Sequence, residues 1–306
     1  MMLFSNYYYM VNIRMKKVSR LGIIGGSGVY DLPGIQNSDW IKIQTNFGEP
    51  SDKVLIGNLN NIPVAFLPRH GKNHQFSPSK INYRANIEAL KICNVTKIIS
   101  VSAVGSLRKD LHPGTIVLSD QFIDNTKFRK NTFFDDDITA HISMSDPTCS
   151  NLKNEIVTIA KQSKINVIDK STYICIEGPQ FSTKSESLLF QKWGADIIGM
   201  TAMPEVKLSR EAEMCYVNLS LITDFDCWKV EEEPVSAKIV IQNFKKNLKQ
   251  IHSIITNLTN NKNLINKCTK GCQNSLENSI TTKLNNNNKI TQKKLINIIK
   301  KYYNVI

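Results

Sequence analysis

No apolar run approaches the roughly 20 residues that a membrane-crossing helix needs, so no membrane partner is expected. The first 20 residues lack the apolar core and small-residue cleavage site of a secretory signal, despite Tyr7-Tyr8-Tyr9. A cytoplasmic protein with reduced thiols is therefore the expectation. Acidic residues are scarce only at the ends. Of a net charge of +13, residues 1–20 carry four cations and no acid, and residues 257–306 carry nine lysines and one glutamate. The body between them is left at +1, which argues against a basic groove and a nucleic-acid partner. There is no internal repeat and no Walker A loop. The dinucleotide fingerprint fails as well, because Gly26-Ser27-Gly28 is followed by Val29-Tyr30-Asp31 and the third glycine is missing.

What is present is ordinary for a folded protein: 41% hydrophobic and 21% charged residues rule out a wholly disordered chain of this length. The 306 residues suit two average domains or one large α/β domain. Three segments separate by composition: an aperiodic extension 1–20, a patterned body 21–256, and a C-terminal stretch 257–306 in which 13 of 50 residues are Asn. That last stretch is expected to be flexible, to bury little and to be removable, apart from a short amphipathic helix over Lys293–Tyr303. Cys93, Cys175 and Cys215 sit in apolar stretches and read as buried thiols. Cys268-Thr-Lys-Gly-Cys272 is compatible with a small disulfide or a metal, but no second Cys/His pair lies near it in sequence, and no metal is expected.

In the body, Leu21–Ile24, Val54–Ile56, Val64–Leu67, Lys97–Val101, Thr115–Leu118, Tyr173–Ile176, Asp196–Ile198 and Tyr216–Ile222 read as strands. Ile81–Cys93, Asn151–Ser163, Lys184–Trp193, Val206–Glu213 and Val235–Asn257 read as helices. The alternation predicts an α/β fold with a doubly wound, largely parallel twisted sheet flanked by helices. Ligands of such sheets bind beyond the carboxyl ends of the strands.

Those ends carry chemistry. Leu21–Ile24 leads into Gly25-Gly26-Ser27-Gly28, where backbone N–H groups approach a ligand closely and Ser27 adds a hydroxyl. Val64–Leu67 leads to Arg69 and His70, and the planar fork of Arg69 suits a phosphate. Lys97–Val101 ends at Ser102-Ala103, and Asp196–Ile198 ends near Met200-Thr201. Together they describe a dianion site, although each alone also suits a turn, a surface ion pair or nothing. Tyr216–Ile222 ends in Thr223-Asp224-Phe225-Asp226. Two carboxylates beyond an apolar run suit a proton donor and an amine acceptor, and equally a helix cap. Phe181 and Met200 suit a flat ring or the core, and a lone His141 suits a ligand contact or a structural role. An anion site, a carboxylate pair and apolar walls suggest a nucleoside cut at its glycosidic bond with phosphate present.

The motifs Leu21-Gly-Ile-Ile-Gly-Gly-Ser-Gly28, Arg69-His70-Gly71 with His74, Pro78-Ser-Lys-Ile-Asn-Tyr-Arg-Ala-Asn86, Ser102-Ala-Val-Gly-Ser-Leu107, Asp120-Gln-Phe-Ile-Asp124, Ile176-Glu-Gly-Pro-Gln-Phe181, Met200-Thr-Ala-Met-Pro-Glu205 and Thr223-Asp-Phe-Asp-Cys-Trp228 stand in order. In these motifs the chain resembles the methylthioadenosine phosphorylases of the trimeric purine nucleoside phosphorylase family, over about residues 21–256. The resemblance implies a distorted central sheet, a cytoplasmic homotrimer of purine and methionine salvage with sites at subunit interfaces, and no cofactor, inorganic phosphate being a co-substrate. By the same resemblance Ser27, Arg69, His70, the Ser102-Ala103 turn and Thr201 hold phosphate, and Phe181 and Met200 face purine and ribose. Asp224 lies near N7 as general acid and Asp226 near the 6-amino group. His141 reaches a neighbour's 5′-methylthio pocket, and Ala237, Val240 and Ile241 line the sugar's apolar end.

Phosphorolysis of S-methyl-5′-thioadenosine is the implied reaction. A 6-oxopurine or methylthioinosine phosphorylase is the rival, disfavoured because it wants an amide where this chain has Asp224. A nucleosidase using water leaves Arg69 and Thr201 without an anion, and a binding protein leaves the Arg69/Asp224 set without a purpose. The chain departs from the family pattern at Ser27 (Thr in human-type enzymes), at Ala237 (usually Val) and over its Asn-rich end.

Overall fold

A computed structural model describes residues 18–26, 33–229 and 235–302. Its strands, in chain order, are β1 (Arg20–Gly25), β2 (Gln36–Ile41), β3 (Val54–Leu59), β4 (Ile62–Pro68), β5 (Val95–Ser106), β6 (Ile116–Ser119), β7 (Gln121–Asn125), β8 (Val167–Ile168), β9 (Thr172–Ile176), β10 (Ile197–Gly199) and β11 (Cys215–Asp224). They form one mixed sheet in the order β2-β3-β4-β1-β5-β10-β9-β7, with β11 on β5, β6 on β11 and β8 on β6. The central pairs β4/β1, β1/β5 and β5/β11 are parallel, as are β10/β9, β9/β7 and β6/β8. The antiparallel pairs are β2/β3, β3/β4, β5/β10 and β6/β11. The expected doubly wound, largely parallel sheet is the one found.

Helices α1 (Tyr83–Ile92), α2 (Ser150–Gln162), α3 (Lys184–Lys192), α4 (Ala202–Glu211), α5 (Ala237–Leu258) and α6 (Lys289–Ile299) flank it. Their starts are written in the sequence. Asn82 accepts a hydrogen bond from the Ala85 N–H, Thr183 and Glu186 form a reciprocal capping box, and Ser236 caps the Ile239 N–H. Alternation along the central strands feeds two core layers. Ile24 and Ile98 join α1 and α4 on one face, whereas Ile23 and Ile99 join α2 and α5 on the other. β11 is buried on both faces, and its interrupting polar residues Asn218, Ser220 and Thr223 are buried with hydrogen-bond partners.

Three strands escape the sequence pattern. β2 is Gln-Asn-Ser-Asp-Trp-Ile, largely exposed and held by backbone pairing to β3 rather than by an apolar face. β8 has only two residues, and β7, with its polar ends, is recognisable only as a motif. β5 is the larger correction. It does not end at Val101 but continues to Ser106, so Ser102-Ala103 is strand and not a turn.

The C-terminal stretch is not a solvated tail. Leu264, Cys268 and Cys272 are buried in the core layer of α2 and α5, and Leu276, Leu295, Ile298 and Ile299 in the layer of α1 and α4. Leu295, Ile298 and Ile299 share one face of α6, and Asn297 donates to Glu88 of α1 at 2.9 Å. Composition hid this because a few well-spaced apolar residues among many asparagines suffice. Full burial of an aliphatic side chain contributes about 1.5–3 kcal/mol, and residues 260–302 have five such Leu or Ile residues. A chain truncated after Thr259 is therefore expected to aggregate or unfold non-cooperatively. A monodisperse, cooperatively folding truncation on gel filtration and urea denaturation would contradict that packing.

Candidate active site

The sheet opens a cavity by changing partners along β5. On one side β5 is paired with β11 through Gly105. On the other side β1 accompanies it only to Ser100, and β10 joins only at Gly105. Between these points, Val101–Val104 have no strand partner on that side among the described residues. A cavity of about 770 Å³ sits there, a size typical of small-molecule sites. Its lining draws on the ends of β1, β4, β10 and β11, as the rule for open α/β sheets requires.

Arg69, His70, Ser102, Ala103, Thr201, Phe181, Met200, Asp224, Asp226, Ala237, Val240 and Ile241 all line this cavity. Two of the sequence-expected residues are not among them. Ser27 lies outside the described residues. His141 is exposed and stands elsewhere, its N–H bonded to the Ser279 carbonyl at 2.9 Å, with Ala140 bridged to Ile280.

At the anion end, β1 and β4 finish side by side, and the Arg69 N–H donates to the Gly25 carbonyl at 2.8 Å. Arg69 is only 1% exposed, and its fork is already engaged. Nε and Nη2 donate to Glu205 at 2.5 and 3.2 Å, Nη2 also to Ser100 at 2.7 Å, and Nη1 to the Val101 carbonyl at 3.0 Å. A guanidinium has five N–H groups. Among the described residues one is left without a partner, on Nη1, beside Gly26 at the cavity wall. Burial works against the charge on Arg69, and Glu205 more than offsets it, holding the guanidinium cationic. Arg69 thus has one N–H, and not its fork, to offer an anion. Glu205 went unread because nothing in a sequence says which buried carboxylate will meet which arginine.

His70 stacks on His74 at 4.3 Å and sets Nδ1 2.8 Å from the Phe76 carbonyl. A carbonyl only accepts, so Nδ1 carries the proton and Nε2 is an acceptor. Burial, then the Arg69 charge, push its pKa down to about 3, so the ring is neutral. Ser102 is buried, and its hydroxyl accepts from Asn218 Nδ2 at 3.2 Å. Thr201 is the residue before α4, and its hydroxyl does not cap that helix.

At the other end, a bulge at Thr223 shifts the β11/β5 register, so that Asp224 stands opposite Gly105. Glycine is required there, since a Cβ would stand 2.9 Å from Asp224 Oδ1. Asp224 Oδ2 accepts from the Thr223 hydroxyl at 2.7 Å, and Oδ1 accepts from the Asp226 N–H at 2.9 Å. The carboxylate therefore holds its own turn as well as facing the cavity. Burial raises its pKa above the ordinary range, with the nearby Asp226 charge adding to the effect. Asp226 is raised by burial too. Phe181 is 42% exposed, which makes it a wall and not a core residue. Ala237, Val240 and Ile241 occupy positions i, i+3 and i+4 on one face of α5.

The phosphorylase superfamily matches residues 20–260 of the chain. The S-methyl-5′-thioadenosine phosphorylase of Hyperthermus butylicus is 51% identical over 239 residues, 78% of this chain and 86% of that protein. The one of Cereibacter sphaeroides is 42% identical, over 86% of this chain and 91% of its own. The chain belongs to the methylthioadenosine phosphorylases of this superfamily. Among solved structures, a methylthioadenosine phosphorylase from an Antarctic soil metagenomic library superposes with a TM-score of 0.84 at 42% identity, covering 92% of this chain and 99% of that one. The Schistosoma mansoni enzyme in complex with adenine gives 0.82 at 35%, covering 87% and 99%.

One member of the site was not legible at all. Arg129 is buried behind the cavity wall and donates to the carbonyls of Met200 at 2.7 Å, Glu177 at 2.7 Å and Ile176 at 3.2 Å, and to Glu177 Oε1 at 3.2 Å. It ties together the two segments that present Phe181 and Met200. In sequence it is one cation in Lys127-Phe128-Arg129-Lys130, with nothing to single it out.

Proposed function

We propose that the protein cleaves S-methyl-5′-thioadenosine with inorganic phosphate, giving adenine and 5-methylthioribose 1-phosphate. The observation that carries this reading is a carboxyl of raised pKa, Asp224, facing the same cavity as Arg69 and Thr201. The names of the relatives, one solved with adenine, point the same way.

The chemistry follows from the two ends. As the C1′–N9 bond lengthens, the ribose gains positive charge, and phosphate held below it both stabilises that charge and attacks C1′. Arg69 supplies one charged N–H to the phosphate, and Thr201 a hydroxyl. Neutral His70 offers Nε2 as an acceptor, which fits the O–H of a protonated phosphate or a ribose hydroxyl and adds no charge. Asp224 delivers its proton toward N7, so adenine departs neutral, and Asp226 accepts from the 6-amino group. Fixing phosphate beside C1′ removes the entropic cost of a bimolecular encounter. Ala237, Val240 and Ile241 give the 5′-methylthio group an apolar surface. No step requires a metal or a cofactor.

The active form is proposed to be a homotrimer working in cytoplasmic purine and methionine salvage. Leu188 and Trp193, each 49% exposed in and just after α3, offer apolar surface for a neighbour. His141, outside its own cavity, would then serve the adjacent subunit's. Substrate ranking tests the specificity. S-Methyl-5′-thioadenosine is expected to exceed methylthioinosine and inosine in kcat/KM by at least roughly 100-fold, because a carboxylate opposes a 6-oxo group. Equal or better turnover of the 6-oxopurines would contradict the assignment of Asp224 and Asp226.

A further inference from the structure

Four of the seven cysteines, remote in sequence, meet at one point of the fold. Cys149 immediately precedes α2, Cys215 begins β11, and Cys268 and Cys272 flank a turn whose Gly271 adopts φ +74°. All four are buried, and their sulfurs lie within 4.8 Å of one another. The Cys149–Cys268 and Cys268–Cys272 separations are 3.6 and 3.7 Å. The sequence shows only the Cys-x-x-x-Cys pair; β11 and the start of α2 supply the second pair.

The geometry points to a structural metal site, a four-cysteine centre for zinc. Zinc–thiolate bonds of about 2.3 Å place the sulfurs of a regular tetrahedron about 3.8 Å apart, which matches the two measured edges. A disulfide needs about 2.05 Å and would gather the sulfurs into two close pairs, whereas here Cys268 stands about equally far from Cys149 and Cys272. Four soft, buried sulfur donors select zinc among common divalent ions. The surroundings suit the double negative charge of a zinc tetrathiolate. Cys149 sits at the N-terminus of a 13-residue helix, and an adjoining cavity lined with Cys149 and Cys272 carries three cations, Lys153, Lys270 and Arg210, against two carboxylates, Asp120 and Asp146. That cavity, of about 430 Å³, also gives the ion a way in. It shares no lining residue with the active-site cavity, so the metal takes no part in the reaction. Its role is to fasten the Cys268–Cys272 turn onto α2 and β11. Metal binding releases the thiol protons and contributes directly to folding.

The full chain, purified under reducing conditions, is expected to hold about one zinc per chain by elemental analysis. Reconstitution with cobalt(II) is expected to give the charge-transfer and visible bands of a tetrahedral tetrathiolate. Cys268→Ser with Cys272→Ser should lower bound metal at least tenfold, while Cys93→Ser, a buried thiol outside the cluster, should retain it. Should the double variant not fold, the wild-type cobalt spectrum decides alone. Metal-free protein that gives no tetrathiolate spectrum with cobalt would overturn the proposal. So would an intact mass, read on protein purified without reductant, lower by two hydrogens for each of two disulfides, or retention of zinc by the double variant.

Discussion

Asp224→Asn is expected to lower kcat/KM for S-methyl-5′-thioadenosine by roughly 10²–10⁴-fold, the usual contribution of a general acid. The substitution is chosen because Asp224 has two duties. Its Oδ1 holds the Asp226 N–H and thereby the turn, and an asparagine oxygen can do the same. What the amide cannot do is give up a proton to N7, so turnover falls while the fold stays. The pH profile adds a second reading. The donor must be protonated, and burial raises its pKa, so wild-type kcat/KM should decline as pH rises through that value. The variant should lose this limb. An amide also donates to a 6-oxo group, so its preference should move toward methylthioinosine. A variant within a few-fold of wild type, with the same pH limb, would remove Asp224 from the mechanism.

Glu205→Ala is expected to destabilise the protein by roughly 3–5 kcal/mol, because it strands Arg69 as a buried charge without its partner. Both side chains are 1% exposed, and two of the four side-chain hydrogen bonds of Arg69 among the described residues go to this carboxylate. The loss should appear as a lower urea midpoint at unchanged slope. Glu205→Gln, which keeps an acceptor but not the charge, should cost less. A change below about 0.5 kcal/mol in the alanine variant would mean that water or phosphate already compensates Arg69.

The elements legible in the sequence are those whose apolar spacing and caps agree, such as β1, β11, α1 and α3. The illegible ones owe their form to partners. β2 is polar and borrows its pairing from β3, and β5 runs past its expected end because β10 takes over from β1. The candidate site divides in the same way. Asp224, Asp226 and Thr201 were visible because they follow apolar strands, where the fold class locates ligands. The use made of Arg69 was not visible, since its fork was expected on phosphate and is spent on Glu205. Arg129 and the four-cysteine cluster depend on contacts such as Arg129–Met200 and Cys149–Cys268, 71 and 119 positions apart, which no local pattern records. The Asn-rich C-terminal stretch shows the reverse error. Average composition suggested disorder, while five aliphatic side chains at suitable spacing place it in the core.

The central claim is phosphorolysis in the cavity between Arg69 and Asp224. The most direct test incubates the purified protein with S-methyl-5′-thioadenosine, with and without inorganic phosphate, and follows adenine and the sugar product. Adenine formed only with phosphate, matched mole for mole by 5-methylthioribose 1-phosphate, is the predicted result. Adenine released equally without phosphate, with free 5-methylthioribose as the product, would contradict it.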